Sequence, residues 1–251
     1  MKKIAIFLFF VSSIFAKDVV VKSDFEVFFP LFGKIGEANA SLNIKNEKYS
    51  IEIVANSFGV AKFMSSNKSE LYISHGFVEN GYLVPTYFKS LTKNSYKSRT
   101  KEYFFNHETK SVLMKKDSFE DDEERYSFEE NLSFYPRNDL TTLYFNLKNM
   151  VNQNNFLYDK IKTAGAEKSQ GDVEIFKISL QELADINKLF EQKDNRVIKV
   201  IINQKIFASA KGELYLNLDK DYVCKEAILK DVILFGDIRA KLVNFTLKEN
   251  R

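Results

Sequence analysis

The stretch Ala38-Asn39-Ala40-Ser41-Leu42-Asn43-Ile44 decides the fold, because every second residue in it is apolar. Strict alternation places successive side chains on opposite faces of a pleated backbone, so this stretch predicts a half-buried β-strand. Ala38 and Ala40 are small and leave room for something bulky above them. Asn46-Glu47 turns the chain, and Tyr49, Ile51 and Ile53 start the next strand with the same pattern. Outward from there the alternation recurs over residues 71–77, 82–91, 96–105 and 111–119. Asn80-Gly81, set between Val78 and Leu83, is a strong type I′ hairpin signal. The polar run from Asn106 to Lys110 makes another turn. With so few residues between neighbours, these strands pair antiparallel with the strands next to them in sequence.

Two segments change period. Asp139 precedes Leu140, Leu143, Tyr144, Leu147, Met150 and Val151, which is helical spacing behind an N-cap residue. Ser179-Leu180-Gln181-Glu182 is a capping box, followed by Leu183, Ile186 and Phe190 on one helix face. Strands return over 197–202, 206–210, 213–218, 222–235 and 238–247, with a turn at Asp219-Lys220-Asp221 and Gly236-Asp237 joining the last pair. Asn-rich residues 149–155 mark a seam between two halves of one sheet. The expected fold is mainly β: a large twisted antiparallel sheet, half-barrel-like, with two short amphipathic helices on its concave or open side.

Composition bounds the function. Of the 251 residues, 45% are hydrophobic and 28% charged, the balance of a globular chain with a real core. The chain opens with Lys2 and Lys3, an unbroken apolar run over 4–11, and Ser12, Ser13, Ile14, Phe15 and Ala16. These are the three parts of a secretory signal peptide, residues 1–16, and the run is too short for a bilayer-spanning helix. That leaves roughly 235 residues (17–251) as a single β-rich domain in the periplasm. With Lys2 and Lys3 removed, the remaining basic residues nearly balance the 34 acidic ones. This excludes the concentrated basic footprint that nucleic-acid binding needs. Lys89, Lys93, Lys97, Arg99 and Lys101 read as a solvated strand face. The single Cys224 has no disulfide partner and reads as a buried small residue.

The chemistry-bearing patterns are thin. Residues 120–124 are all acidic, but lack the glycine and spacing of a calcium loop and read as a solvated turn. His75 and His107 are the only histidines, and neither sits in a zinc-binding motif. There is no nucleophile elbow and no phosphate-cradling glycine loop. The expectation is a non-enzymatic protein with no catalytic residues, cofactor or metal. Aromatic residues cluster in the first third: Phe28, Phe32, Phe58, Phe63, Phe77 and Phe88, with Phe29 and Tyr87, fit an apolar groove on a curved sheet.

The ordered series of elements resembles an exported bacterial family, domain of unknown function 3108. The matching stretches are Phe25-Glu26-Val27 through Gly33, Gly36 and Ala38; Gly81-Tyr82-Leu83-Val84-Pro85 with Phe88; Asp139-Leu140-Thr141-Thr142-Leu143-Tyr144; and Gly212-Glu213-Leu214-Tyr215-Leu216 with residues 219–222. The resemblance implies a periplasmic β-rich domain and carries no catalytic residues. Together these readings predict binding of an apolar ligand, a lipid or an extended peptide, in envelope biogenesis. The alternative is a structural or assembly partner of an envelope protein complex.

Overall fold

The structure, a computed structural model, describes residues 18–152, 156–166, 168–191, 196–202, 211–232 and 236–250. The signal segment 1–16 and the strand expected over 206–210 lie outside the described residues. The alternating stretches form β1 (Asp18–Phe29), β2 (Gly33–Lys45), β3 (Lys48–Ser57), β4 (Ser69–Glu79), β5 (Tyr82–Lys93), β6 (Lys97–Asn106) and β7 (Ser111–Glu120). β8 (Glu123–Asn131), β9 (Asn138–Asp139), β10 (Tyr158–Ala164) and β11 (Asp172–Lys177) follow, then β12 (Arg196–Ile202), β13 (Glu213–Leu218), β14 (Cys224–Val232) and β15 (Gly236–Asn250). Among the described residues three α-helices interrupt them: α1 (Gly59–Met64), α2 (Leu140–Val151) and α3 (Leu180–Ile186).

Among the described residues all fifteen strands belong to one sheet, ordered β8 to β1 and then β15 down to β9. Sequence neighbours pair antiparallel in both arms, apart from the short parallel contact of β9 with β10. The arms join where β1 runs antiparallel to β15, from Asp18 opposite Asn250 to Phe28 opposite Arg239. Gly236, expected in a turn, opens β15 and pairs with Val232.

Three tight hairpins carry positive φ at both central residues, Asn46-Glu47, Asn80-Gly81 and Asp121-Asp122, the type I′ geometry that matches strand twist. The acidic run therefore supplies a turn. The twist curls the sheet until its edges overlap: Ala164 on β10 is buried with Phe88, Tyr103 and Val112 of β5, β6 and β7. Gly165 follows with φ +88°, and a Cβ there would lie 3.0 Å from both Phe88 and Leu140. Only glycine fits both the backbone and the space. The result is half-barrel-like, with residues 132–137 carrying the chain from the β8 edge across to β9.

Helix α2 fills one end of the interior. Asp139 caps it, accepting from the Thr141 and Thr142 backbone N–H groups while the Thr142 hydroxyl oxygen accepts from the Asp139 N–H. Leu143 and Leu147 pack on Val173, Ile175, Ile198, Val200, Leu216 and Leu218 of the second arm. Phe145 packs on Leu42, Tyr49, Ile51 and Leu83 of the first. The helix tail bridges the arms: the Asn149 amide donates to the Gly81 carbonyl at 2.7 Å, and the Tyr222 hydroxyl donates to Asn152 at 2.9 Å. The described part of the Asn-rich segment thus ties the helix to a turn of each arm, whereas the two halves of the sheet join at β1 and β15.

The second expected helix, α3, has its Ser179–Glu182 capping box but not the expected position. Leu183 and Phe190 pack with Val197, Tyr215 and Ile228, which alternate with the residues facing α2, so α3 covers the convex face. The reason is that β12 and β14 are apolar on both faces, with Val197 beside Ile198 and Ile228 beside Leu229 all buried. Helix α1 is a third helix, six residues long, with no side-chain cap and no buried residue. Cys224 is buried, as expected, and its burial pushes the thiol pKa up to about 12. Among the described residues, no helix is long and apolar enough to cross a membrane.

Candidate functional site

The interior left open by α2 is floored by small residues. Cross-strand partners Ala227, Ala240, Val27, Gly36 and Ser57 form one row across β14, β15, β1, β2 and β3. In the adjoining row Ala38 lies between Phe25 and Ala55. Over this floor is a cavity of about 400 Å³, walled by Leu214, Leu229 and Ile238 and bounded by Lys68 and Glu70. Its size falls in the range of roughly 300–1,000 Å³ typical of small-molecule sites. Short side chains on the concave face of a curved sheet make the room; large aliphatics there would fill it.

A second lobe of about 350 Å³ adjoins the first, sharing Lys68 and Glu70, and is lined by Tyr72, Phe88, Ser90, Thr92, Arg99 and Lys101. Glu70 is anchored by Lys68 at 2.6 Å and by the Tyr72 hydroxyl at 2.8 Å. Burial, helped by the Glu70 charge, holds the Tyr72 phenol protonated well above the usual tyrosine range. The run read as one solvated face divides by register. Lys89 pairs across the ladder with Glu102 on one face, whereas Arg99 and Lys101 share the other with buried Tyr103. The signal was present, since residues two apart on a strand share a face, but which face was concave could not be read locally.

The expected groove residues do not form one groove. Phe88 is fully buried in the core between β5, β6 and β10. Phe28 lies under the Lys241 ammonium, 5.2 Å from its ring centre. Phe77 meets the His107 ring edge-on. Phe32, Phe58 and Phe63 do come together with α1 and the β1–β2 turn: the Phe58 N–H donates to the Ile35 carbonyl, and Phe32, Ile35, Ala61, Met64 and Ile238 line a shallow depression of about 230 Å³. Ile35 and Ile238 also wall the large cavity, so this rim is continuous with its mouth. The rim is apolar and exposed, with Phe63 89% and Leu31 76% accessible. Tyr87, beside Phe88 in sequence, donates instead to Glu102.

The two histidines serve local structure. His75 is exposed and stacks on Tyr87. His107, in the β6–β7 turn, hydrogen-bonds the Tyr135 hydroxyl and the Pro85 carbonyl. No cluster of His, Cys, Asp or Glu able to hold a metal occurs among the described residues.

The chain is similar in fold to a solved structure, the beta-barrel-like protein of domain of unknown function DUF1849 from Brucella abortus. The TM-score is 0.52 at 8% sequence identity, and the match covers 92% of this chain and 98% of that one. At that identity the likeness is one of fold. No family model matches the chain, and no curated protein does. The motif series resembling domain of unknown function 3108 therefore has no family match behind it; the likeness found is to a different domain of unknown function.

Proposed function

We propose that this protein is a non-catalytic carrier or receptor that holds an apolar ligand inside its half-barrel, in the bacterial envelope to which its N-terminal signal directs it. The observation that carries the reading is the cavity of about 400 Å³ over the Ala227–Ala240–Val27–Gly36 floor. An apolar concavity with a few polar groups at one wall is the usual form of a ligand site. The exposed rim of Leu31, Phe32, Phe58 and Phe63 beside its mouth supports the reading, because an apolar ligand entering there stays on apolar surface.

The test is lipid mass spectrometry on protein purified gently from its own periplasm and extracted with organic solvent, beside an equally treated control. One lipid class near one equivalent per protein is the expected result. A protein carrying no enriched lipid moves the weight to the alternative, an assembly partner binding through a sheet edge. The available edge is β8, exposed along its whole length. Its Glu123, Glu124, Arg125, Glu129 and Glu130 are the charges that guard an edge against pairing, which favours the cavity reading.

A further inference from the structure

The exposed apolar side chains beside the cavity mouth gather on two turns at the same end of the sheet. The β1–β2 turn carries Leu31 and Phe32, and the β3–β4 connection, which contains α1, carries Phe58, Val60, Phe63 and Met64; all six are exposed. The two turns are joined, because the Phe58 N–H donates to the Ile35 carbonyl. A contiguous apolar patch of this kind marks a protein or a membrane contact.

Charge and shape separate the two. No acidic residue occurs between Glu26 and Glu37 or between Glu52 and Glu70. Lys34 is held by Glu26 and Glu37, and Lys68 by Glu70, so neither adds charge to the patch. Lys62 on α1 is exposed and makes no ion pair among the described residues. Farther along this end, Asp237 is held by Lys230. Asp231 on β14 stands two strands from β1, and acidic residues 120–124 three strands from β4. Those spacings are about 10–14 Å, beyond the Debye length of about 8 Å at physiological salt. The patch itself therefore offers apolar side chains and one unpaired cation. In shape it is a set of side chains standing on turns around a shallow depression. A protein partner has to supply a socket for each of them, whereas the hydrocarbon at the edge of a bilayer closes around any shape.

From this acid-free apolar tip at the cavity mouth, we propose that the protein docks on a bilayer surface containing anionic phospholipids. Leu31, Phe63 and their neighbours enter the interface, and Lys62 lies among the headgroups. Ile35 and Ile238, shared by the depression and the cavity, then place the mouth at the membrane. An apolar ligand passes between bilayer and interior without crossing water; this transfer step rests on the cavity being the ligand site, whereas docking does not.

The test is flotation of the purified protein with two kinds of vesicle, one of phosphatidylcholine and one of equal parts phosphatidylcholine and phosphatidylglycerol. Association is expected with both, about fivefold stronger on the anionic vesicles, the scale of one lysine near such a surface. The double variant Leu31→Ser, Phe63→Ser weakens it at least about tenfold, because two apolar side chains no longer leave water. Lys62→Gln makes the two vesicles equal. Leu180→Ser, which changes an exposed leucine on α3, leaves association as it was. All four side chains are exposed, so each variant keeps the fold. Absence of association with either vesicle, equal association of wild type with both, association that survives the double variant, or an equal loss in Leu180→Ser overturns the proposal. So does a dimer in light scattering that the double variant turns into a monomer, which assigns the patch to a second copy of the chain. Fluorescence of N-phenyl-1-naphthylamine added without vesicles reads the cavity alone. Uptake by a protein that ignores vesicles overturns docking and leaves the cavity reading standing; docking without uptake overturns the transfer step together with the cavity reading.

Discussion

Replacing Asn146 by Leu tests whether α2 is bolted into the half-barrel by its amide. The side chain is 2% accessible. Its oxygen accepts from the Leu83 backbone N–H at 2.9 Å, and its nitrogen donates to the Leu83 carbonyl at 2.9 Å and to Asn138 Oδ1 at 3.0 Å. One amide therefore serves both backbone groups of a single residue on β5, as a neighbouring strand would. Leucine has the same number and branching of heavy atoms, so no cavity is left and the loss is mainly polar. A buried backbone group left without a partner costs about 1–3 kcal/mol. Two of them, partly offset by added apolar burial, give a destabilisation of about 3–4 kcal/mol. That is a large share of the roughly 5–15 kcal/mol that holds a domain folded, and at about 2–4 °C per kcal/mol for this size it lowers Tm by about 6–16 °C. Asn149→Ala is the internal comparison. Its contact with the Gly81 carbonyl is exposed, so it shifts stability by no more than about 0.5–1 kcal/mol. Urea unfolding followed by circular dichroism gives both values on one scale. Equal and small shifts for Asn146→Leu and Asn149→Ala would refute the claim that a buried amide clamp fixes the helix.

Two further outcomes follow from the same architecture. Ala240→Phe puts a ring over the cavity floor; filling an existing space costs at most about 1–3 kcal/mol in strain and can be neutral, so Tm moves little while co-purifying lipid falls to the control level. Retained lipid at full stoichiometry would place the ligand elsewhere. For Asp139, burial raises the carboxyl pKa above its usual value against the opposing effect of hydrogen bonds from Thr141, Ser74 and Thr142. A raised acid binds its proton more tightly folded than unfolded, so its contribution is greatest below the ordinary carboxylate range near pH 4 and declines as pH rises through the folded pKa. The Tm advantage of wild type over Asp139→Asn therefore shrinks on going from about pH 4 to about pH 7, measured by calorimetry; an advantage that grows over this interval would contradict the assigned direction.

The parts legible in the sequence were those with local causes. The strands of the first arm, its two-residue turns and both capped helices each follow from alternation, from residues tolerant of positive φ, or from a side chain three residues from the one it caps. β8 left no such trace, because all nine of its residues are exposed and it has no buried face to enforce a pattern. Helix α1 left none either, with Phe58 at its N-cap providing no side-chain bond. The closing contact of the sheet is farther still from local reading: Asp24 meets Asn244 220 residues away, and neither strand encodes the other. The site failed to appear for the same reason. Phe88 and Phe63 look alike in sequence, yet one is fully buried and the other 89% accessible, and Arg99 and Lys101 become wall residues only once the sheet curls.

Magnitudes also bear on why the concave face is built unevenly. At the corked end the interior is filled by large side chains, Leu143, Leu147 and Phe145 against Ile51, Val173 and Ile175. At the open end the facing positions are Gly36, Ala55, Ala227 and Ala240. A sealed dry void of the size left there, about 400 Å³, costs about 10 kcal/mol at roughly 24 cal/mol per Å³. That is as much as the whole stability of an ordinary domain, and it is the upper limit for a space that is open at its mouth. Water entering from the mouth relieves part of the cost where Ser57, Lys68 and Glu70 line it, but Val27, Leu214, Leu229 and Ile238 offer it no side-chain hydrogen bonds, and a stable buried water needs two or more partners. A hydrocarbon chain needs none, and each buried methylene contributes about 0.8 kcal/mol. The small side chains that weaken this end of the core are therefore the ones that let an apolar ligand restore it.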